Sequence, residues 1–217
     1  MNVSRETSIV TLEQEPPAAA AIFGDRIEVA RRFTRNLADQ GETRGLIGPL
    51  EVPRLWTRHV LNSAVIAPLF PAGRVGDVGS GAGLPGLVCA IARPDATWVL
   101  IEPMERRTIW LQEQADELGL TNVEVVRARA EEWSGGPSLD AVTARAVSAL
   151  RTLLPITVPL VRNGGQVIVM KGVSADAEIE KAAKQIRHLR LQDVRVELLG
   201  ADLLDEPTRV VRASVHR

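Results

Sequence analysis

The sequence predicts an α/β fold: a mostly parallel sheet flanked by helices, preceded by a helical cap and ended by an antiparallel hairpin. Three observations predict it. From Arg74 onward short apolar strand segments alternate with helical ones. A glycine-rich turn, Gly79-Ser80-Gly81-Ala82-Gly83-Leu84-Pro85-Gly86, joins the first of these strands to the first helix. The last two alternating segments have no helix between them, so they must pair antiparallel. A length of 217 residues with 45% apolar content suits one domain, with residues 1–72 as the helical extension and 73–217 as the core.

Residues 1–15 are polar and are expected to begin disordered. Pro16-Pro17 opens a short alanine-rich helix that Gly24 stops. Asp25, spaced from Glu28 as in a capping box, starts a second helix carrying Ile27, Ala30, Phe33 and Leu37 to Gly41. Residues 41–50 form a loop, and Pro53 begins a third helix that runs to Pro68.

In the core, strands are expected near 74–78, 97–102, 123–127, 139–143 and 166–170, and helices near 84–92, 105–118, 148–162 and 174–190. Pro155 and Pro159 should kink or split the third of these helices. The closing hairpin strands fall near 192–199 and 208–215.

The glycine turn implies a nucleotide-like ligand, because the backbone must turn sharply and lie against it at a helix N-terminus. Gly81 to Gly86 fits the dinucleotide fingerprint, yet Asp77 stands two residues before Gly79 and gives D-x-G-x-G-x-G. That carboxylate repels a pyrophosphate and tolerates the cationic methionine end of S-adenosylmethionine (AdoMet). Asp77, Gly79 and Gly81 are therefore candidate AdoMet-binding residues. Glu102, 23 residues after Gly79 at the end of the second strand, is placed to accept hydrogen bonds from ribose hydroxyls. Ala130-Glu131 after the third strand either binds the adenine or is an acidic helix start. Arg145, after the fourth strand, points toward the ligand crevice for the AdoMet carboxylate or RNA, with a structural ion pair as the alternative. Lys171 at the end of the fifth strand either contacts a substrate phosphate or caps the strand. Arg54, Arg58 and His59 on the third cap helix suggest a basic rim that Arg31, Arg32 and Arg35 extend; solvated surface is the alternative reading.

Several function classes are disfavoured. The net charge is -1, and residues 25–59 hold seven basic and five acidic residues, so affinity for free RNA should be weak. Cys89, the single cysteine, lies in an apolar run, which suits a core role and a cytoplasmic protein without disulfides. The three histidines are too scattered for a zinc site. No apolar stretch approaches the ~20 residues of a membrane span, and an N-terminus bearing Glu6, Glu13 and Glu15 is not a signal peptide. No Asn or Asp precedes a Pro-Pro-aromatic after the fourth strand, which disfavours exocyclic amine methylation, and no cysteine is placed for pyrimidine C5 chemistry. Methylation of guanine N7 needs only alignment, since that nitrogen has a free lone pair and no proton to lose.

The ordered set Arg58-His59-Val60-Leu61-Asn62-Ser63, Asp77 to Gly86, Arg93-Pro94, Arg106-Arg107, Arg129-Ala130-Glu131-Glu132, Ala144-Arg145-Ala146 and Met170-Lys171-Gly172 resembles the RsmG (GidB) family. The resemblance spans residues 25–172. It implies a class I AdoMet-dependent methyltransferase (Rossmann-like) acting on N7 of a guanine in the decoding region of bacterial 16S ribosomal RNA, in the 30S subunit or an assembly intermediate, with a link to streptomycin through that target. It also implies that Gly79, Leu84, Ala130-Glu131 and Arg145 bind AdoMet. The chain departs from the family at Gly45-Leu46-Ile47-Gly48-Pro49, where many members carry Asn-Leu-Thr, and at Asn62, where many carry Asp. The alternatives are a small-molecule or protein methyltransferase on the same fold, or a non-catalytic nucleotide-binding regulator.

Overall fold

A computed structural model describes residues 11–216. The cap begins with α1 (Ala18–Phe23), which Gly24 ends at φ +49, and a 3-10 turn (Gly24–Arg26) leads straight into α2 (Ile27–Gln40). The expected Asp25–Glu28 capping box does not form: no side chain caps α2. The continuous turn supplies the acceptor instead, as Ile27 N–H donates to Gly24 O, and Glu28 pairs with Arg31. Of the expected disordered start, residues 1–10 lie outside the described residues, whereas 11–15 are held in place. Glu13 accepts the Thr57 N–H at 3.0 Å, and Glu15 takes a two-pronged ion pair from Arg31 at 2.6 and 2.7 Å.

The third cap helix is not one regular helix. A 3-10 turn (Val52–Arg54) leads through Leu55 to a π-helical turn (Trp56–Leu61), then α3 (Asn62–Ala64), and a further 3-10 turn covers Ala67–Leu69. Pro53 and Pro68 sit in the first turns of the two 3-10 segments, where a missing N–H costs nothing. The wide π turn brings Trp56, Val60 and Leu61, spaced four and five residues apart, to the buried side together.

The core follows as β1 (Arg74–Val78), α4 (Gly86–Ala92), β2 (Thr97–Ile101), α5 (Glu105–Glu117), β3 (Val123–Val126), β4 (Leu139–Thr143), α6 (Leu150–Thr157), β5 (Val161–Lys171), α7 (Ala175–Lys181), α8 (Ala183–His188), β6 (Leu191–Leu199) and β7 (Thr208–Val215). Pro155 lies within α6 and Pro159 in the 3-10 turn (Val158–Leu160) that follows it, and β5 starts at Val161, earlier than expected. The expected helix over 174–190 is two, divided at Ala182.

The sheet order is β3-β2-β1-β4-β5-β7-β6. The first five strands pair in parallel, while β7 runs antiparallel between β5 and β6. Period-2 alternation assigns the faces. Val75, Ala141, Ile168 and Val210 meet the cap and α4 (Phe33, Leu55, Leu61, Leu87), whereas Val142, Val167, Val169 and Val211 meet α6 (Leu150, Leu153, Leu154). Asp77 and Thr143, register partners on β1 and β4, share the cap face. The cap is therefore part of the core and overhangs the carboxyl edge of the sheet, where α/β folds bind ligands.

Candidate cofactor crevice and substrate cleft

β1 runs into the glycine turn, in which Gly79, Gly81 and Gly83 have φ of +71, +54 and +92. Two of them also sit in tight surroundings. A Cβ on Gly79 would lie 2.9 Å from Val147 Cγ2, and one on Gly83 would meet Leu87 at 2.4 Å. Only glycine combines that backbone with that space. Leu84 is buried at the start of the turn into α4.

Glu102, just past β2, is 2% exposed. One carboxylate oxygen accepts the Gly81 N–H and the other the Met104 N–H, both at 3.0 Å, and Arg107 stands 3.9 Å away. The acid thus holds the glycine turn against the edge of the sheet. Asp77 is fully buried below that turn, and its Oδ2 accepts the Gly86 N–H at 3.0 Å, pinning the first turn of α4. Burial pushes its pKa up to about 7, although its hydrogen bonds and the Arg145 charge work the other way. Asp77 Oδ1 and Thr143 Oγ1 have no protein partner. Asp77 thus lies beneath the glycine turn. Ala130 is buried and Glu131 exposed on a 3-10 turn (Ala130–Glu132) after β3.

After β4 the chain turns sharply at Ala146, a non-glycine residue with φ +54. The turn brings Arg145 to the cap and Val147 beside Gly79. Arg145 Nη2 lies 3.1 Å from His59 Nδ1, whose Nε2 meets Glu51 Oε2. Burial lowers the pKa of Arg145 to about 10, and burial, then the Arg145 charge, lowers that of His59. Glu51, which the sequence reading did not single out, also pairs with Arg54 and lies 3.9 Å from Arg58. Its i,i+3 spacing to Arg54 is legible in the sequence, but no spacing rule marks its contact with His59, because a 3-10 turn and a π turn bring the two together.

Beside Arg145 opens a cleft of about 840 Å³, lined by Arg58, His59, Asn62, the 145–149 loop, the end of β5 and the β6–β7 loop through Arg209. Lys171 lines it, but its Nζ donates to Ser148 O at 2.6 Å and pairs with Glu178 at 2.9 Å, holding the 145–149 loop. Arg31 and Arg32 do not extend the basic rim. Arg31 is taken by Glu15 and Glu28, and Arg32 donates to Glu117 O at the far end of α5. Cys89 is buried, with its thiol pKa raised by burial. Among the described residues no group of His, Cys, Asp or Glu is arranged for a metal, and no helix is long and apolar enough to cross a membrane.

The sheet order and glycine turn define a class I AdoMet-dependent methyltransferase fold. Solved structures share it at low identity. The tRNA (m1A58) methyltransferase of Aquifex aeolicus matches with a TM-score of 0.57 at 14% identity, covering 72% of this chain and 68% of that one. TYW2 of M. jannaschii, in complex with AdoMet, matches at 0.56 and 17%, covering 75% and 78%. Residues 26–206 match the family GidB, described as rRNA small subunit methyltransferase G, and the chain belongs to that family. A relative of that name from Leifsonia xyli subsp. xyli is 63% identical over 206 residues, 95% of this chain and 99% of its own. Another, from Arthrobacter sp. (strain FB24), is 59% identical, covering 94% of each chain.

Proposed function

We propose that this protein transfers a methyl group from AdoMet to N7 of a guanine in the decoding region of bacterial 16S ribosomal RNA, within the cytoplasmic 30S subunit or its assembly intermediate. The observation that carries the reading is the juxtaposition, across Val147, of a glycine cradle with a cleft lined by Arg58, Arg145 and Arg209. The residues present fit AdoMet: Gly79 leaves room that a Cβ would fill, and Glu102 keeps the glycine turn in place through the Gly81 N–H. Gly79, Gly81, Leu84, Glu102 and Ala130-Glu131 would hold the cofactor, Asp77 would support them from below, and Arg145 would stand between the two ligands. Bound there, AdoMet supplies an electrophilic methyl group on a sulfonium.

The chain supplies alignment. Guanine presents the acceptors N7 and O6 on one edge; guanidinium donors such as Arg145 and Arg58 suit O6 and the flanking phosphates, which leaves the N7 lone pair free for the methyl group. The N7 lone pair forms the new N–CH3 bond as the C–S bond breaks toward sulfur, and no proton leaves. Two of the titratable groups on the cleft wall are already engaged: both ring nitrogens of His59 are hydrogen-bonded, and Glu178 is occupied by Lys171 and the Leu150 N–H. Neither is free to serve as a general base.

The test is transfer of labelled methyl from AdoMet to undermethylated 30S subunits, followed by nucleoside analysis. The expected product is 7-methylguanosine in 16S RNA, with far less incorporation into free RNA. Label in protein alone, or at another base atom, refutes the reading.

A further inference from the structure

The half-buried line Glu51–His59–Arg145 crosses from the cap to the edge of the sheet and ends in the substrate cleft. A guanidinium has donors only, so its 3.1 Å contact with His59 Nδ1 requires that nitrogen to bear a lone pair. A neutral ring with its proton on Nε2 satisfies this, and Nε2–H then donates to Glu51. Glu51 thereby fixes both the tautomer and the orientation of the ring. No other hydrogen bond holds the Arg145 guanidinium among the described residues, so its direction in the cleft depends on this acceptor.

We infer that Glu51 and His59 are positioning residues that aim Arg145 at the target nucleotide, and that protonation of His59 releases it. This rests on the proposed rRNA methyl transfer for the identity of the nucleotide, while the relay itself is a property of the free protein.

The surroundings of His59 favour the neutral ring. Arg145 faces it from the end of β4, Arg58 lies on its own turn, and Arg54 shares Glu51; Asp77 on β1 stands behind Arg145, and Lys171, Glu178, Glu206 and Arg209 line the cleft beyond. Burial and two guanidinium charges oppose a second proton on the ring; Glu51 alone favours it directly. Below the His59 pKa, Nδ1 becomes a donor facing a donor, and two cations meet in a partly buried site. The contact then breaks, and Arg145 loses its aim.

The test uses the full chain in two arms. In the first, nitrogen-15 NMR of the imidazoles, with His59 assigned through His59→Gln, reads tautomer and titration without any substrate. The relay requires the Nε2–H tautomer at pH 7.5 and a His59 pKa below 6.5 that falls further in Glu51→Gln, where the charge is gone but an acceptor stays. In the second arm, saturating-AdoMet turnover on 30S subunits is followed against pH. Wild type should lose activity as His59 protonates. Glu51→Ala should lower turnover at the pH 7.5 plateau by about ten- to a hundred-fold, the scale of a misplaced aligning group. Glu51→Gln should recover most of that loss and move the acid limb to lower pH. An Nδ1–H tautomer, or an acid limb and plateau in Glu51→Ala matching wild type in a folded variant, overturns the relay. Correct tautomer and titration without methylation by wild type instead counts against the rRNA reading and leaves the relay standing.

Discussion

Glu102 accepts the N–H of Gly81 at 3.0 Å, tying the carboxyl end of β2 to the middle of the glycine turn that follows β1. The carboxylate is 2% exposed and also holds the Met104 N–H, so one side chain sets the spacing between the two strand ends that frame the crevice. A hydrogen bond in so dry a place contributes more than one at the surface.

Glu102→Ala leaves two backbone donors without their acceptor, each costing about 1–3 kcal/mol where water cannot replace it. The expected result is a fall in AdoMet affinity of roughly ten- to a hundred-fold by calorimetry. Glu102→Gln keeps one acceptor oxygen and should lose less. Equal, unchanged affinity in both variants would detach Glu102 from the cofactor.

Gly79→Ala separates two effects that coincide at this position. The left-handed backbone at φ +71 costs an L-residue about 1–2 kcal/mol, and the new Cβ meets Val147 Cγ2 at 2.9 Å. Gly79→Ala should weaken AdoMet binding; Val147→Ala in the same chain should restore part of it, the backbone strain remaining. A double-mutant cycle showing strict additivity would place Val147 away from the cofactor wall.

Asp77 makes stability depend on pH. Its folded pKa of about 7 lies above the ordinary 3.8 because the carboxyl is buried, so between these values the folded state binds a proton that the unfolded chain has lost. Folding stability therefore falls as pH rises from about 4 to about 7, by up to ~1.4 kcal/mol per pH unit from this group, and the full penalty persists above that window. Asp77→Asn keeps an oxygen for the Gly86 N–H and removes the charge. Urea unfolding at pH 5 and pH 8 should show the variant gaining on wild type as pH rises; parallel profiles would mean that Asp77 is already ionised at pH 5.

The parallel core was legible because its signals are local: apolar runs of strand length, a glycine turn between strand and helix, and a hairpin with no room for a crossover. The cap was less so. A helix beginning at Pro53 has the right periodicity, but the π turn at Trp56–Leu61 is set by packing Trp56, Val60 and Leu61 together, which no propensity encodes. The capping box failed because Asp25 is absorbed into a turn that already supplies acceptors. Site chemistry divides similarly. Glu102 stands out by its place after a strand, whereas Glu51 has a local i,i+3 partner in Arg54 and gains its further meaning only when the folded cap sets it against His59. Lys171 illustrates the converse: a cation at a strand end whose charge Glu178, seven residues on, largely answers.

Arg54 and Arg58 are one turn apart but unequal. Arg54 is 46% exposed and ion-paired with Glu51, while Arg58 is 54% exposed, 3.9 Å from the same carboxylate and on the wall of the cleft. A guanidinium that meets an RNA phosphate releases a counterion, so losing it makes the salt dependence of binding shallower by roughly one unit of slope. Arg58→Ala should show this change with 30S subunits and leave AdoMet affinity alone. Arg54→Ala should alter the slope less, since its charge is already answered, and act through Glu51. The measurement is methylation at limiting 30S concentration across a salt series. Identical slopes in wild type and Arg58→Ala would return Arg58 to solvated surface and leave Arg145 and Arg209 as the cations that meet RNA.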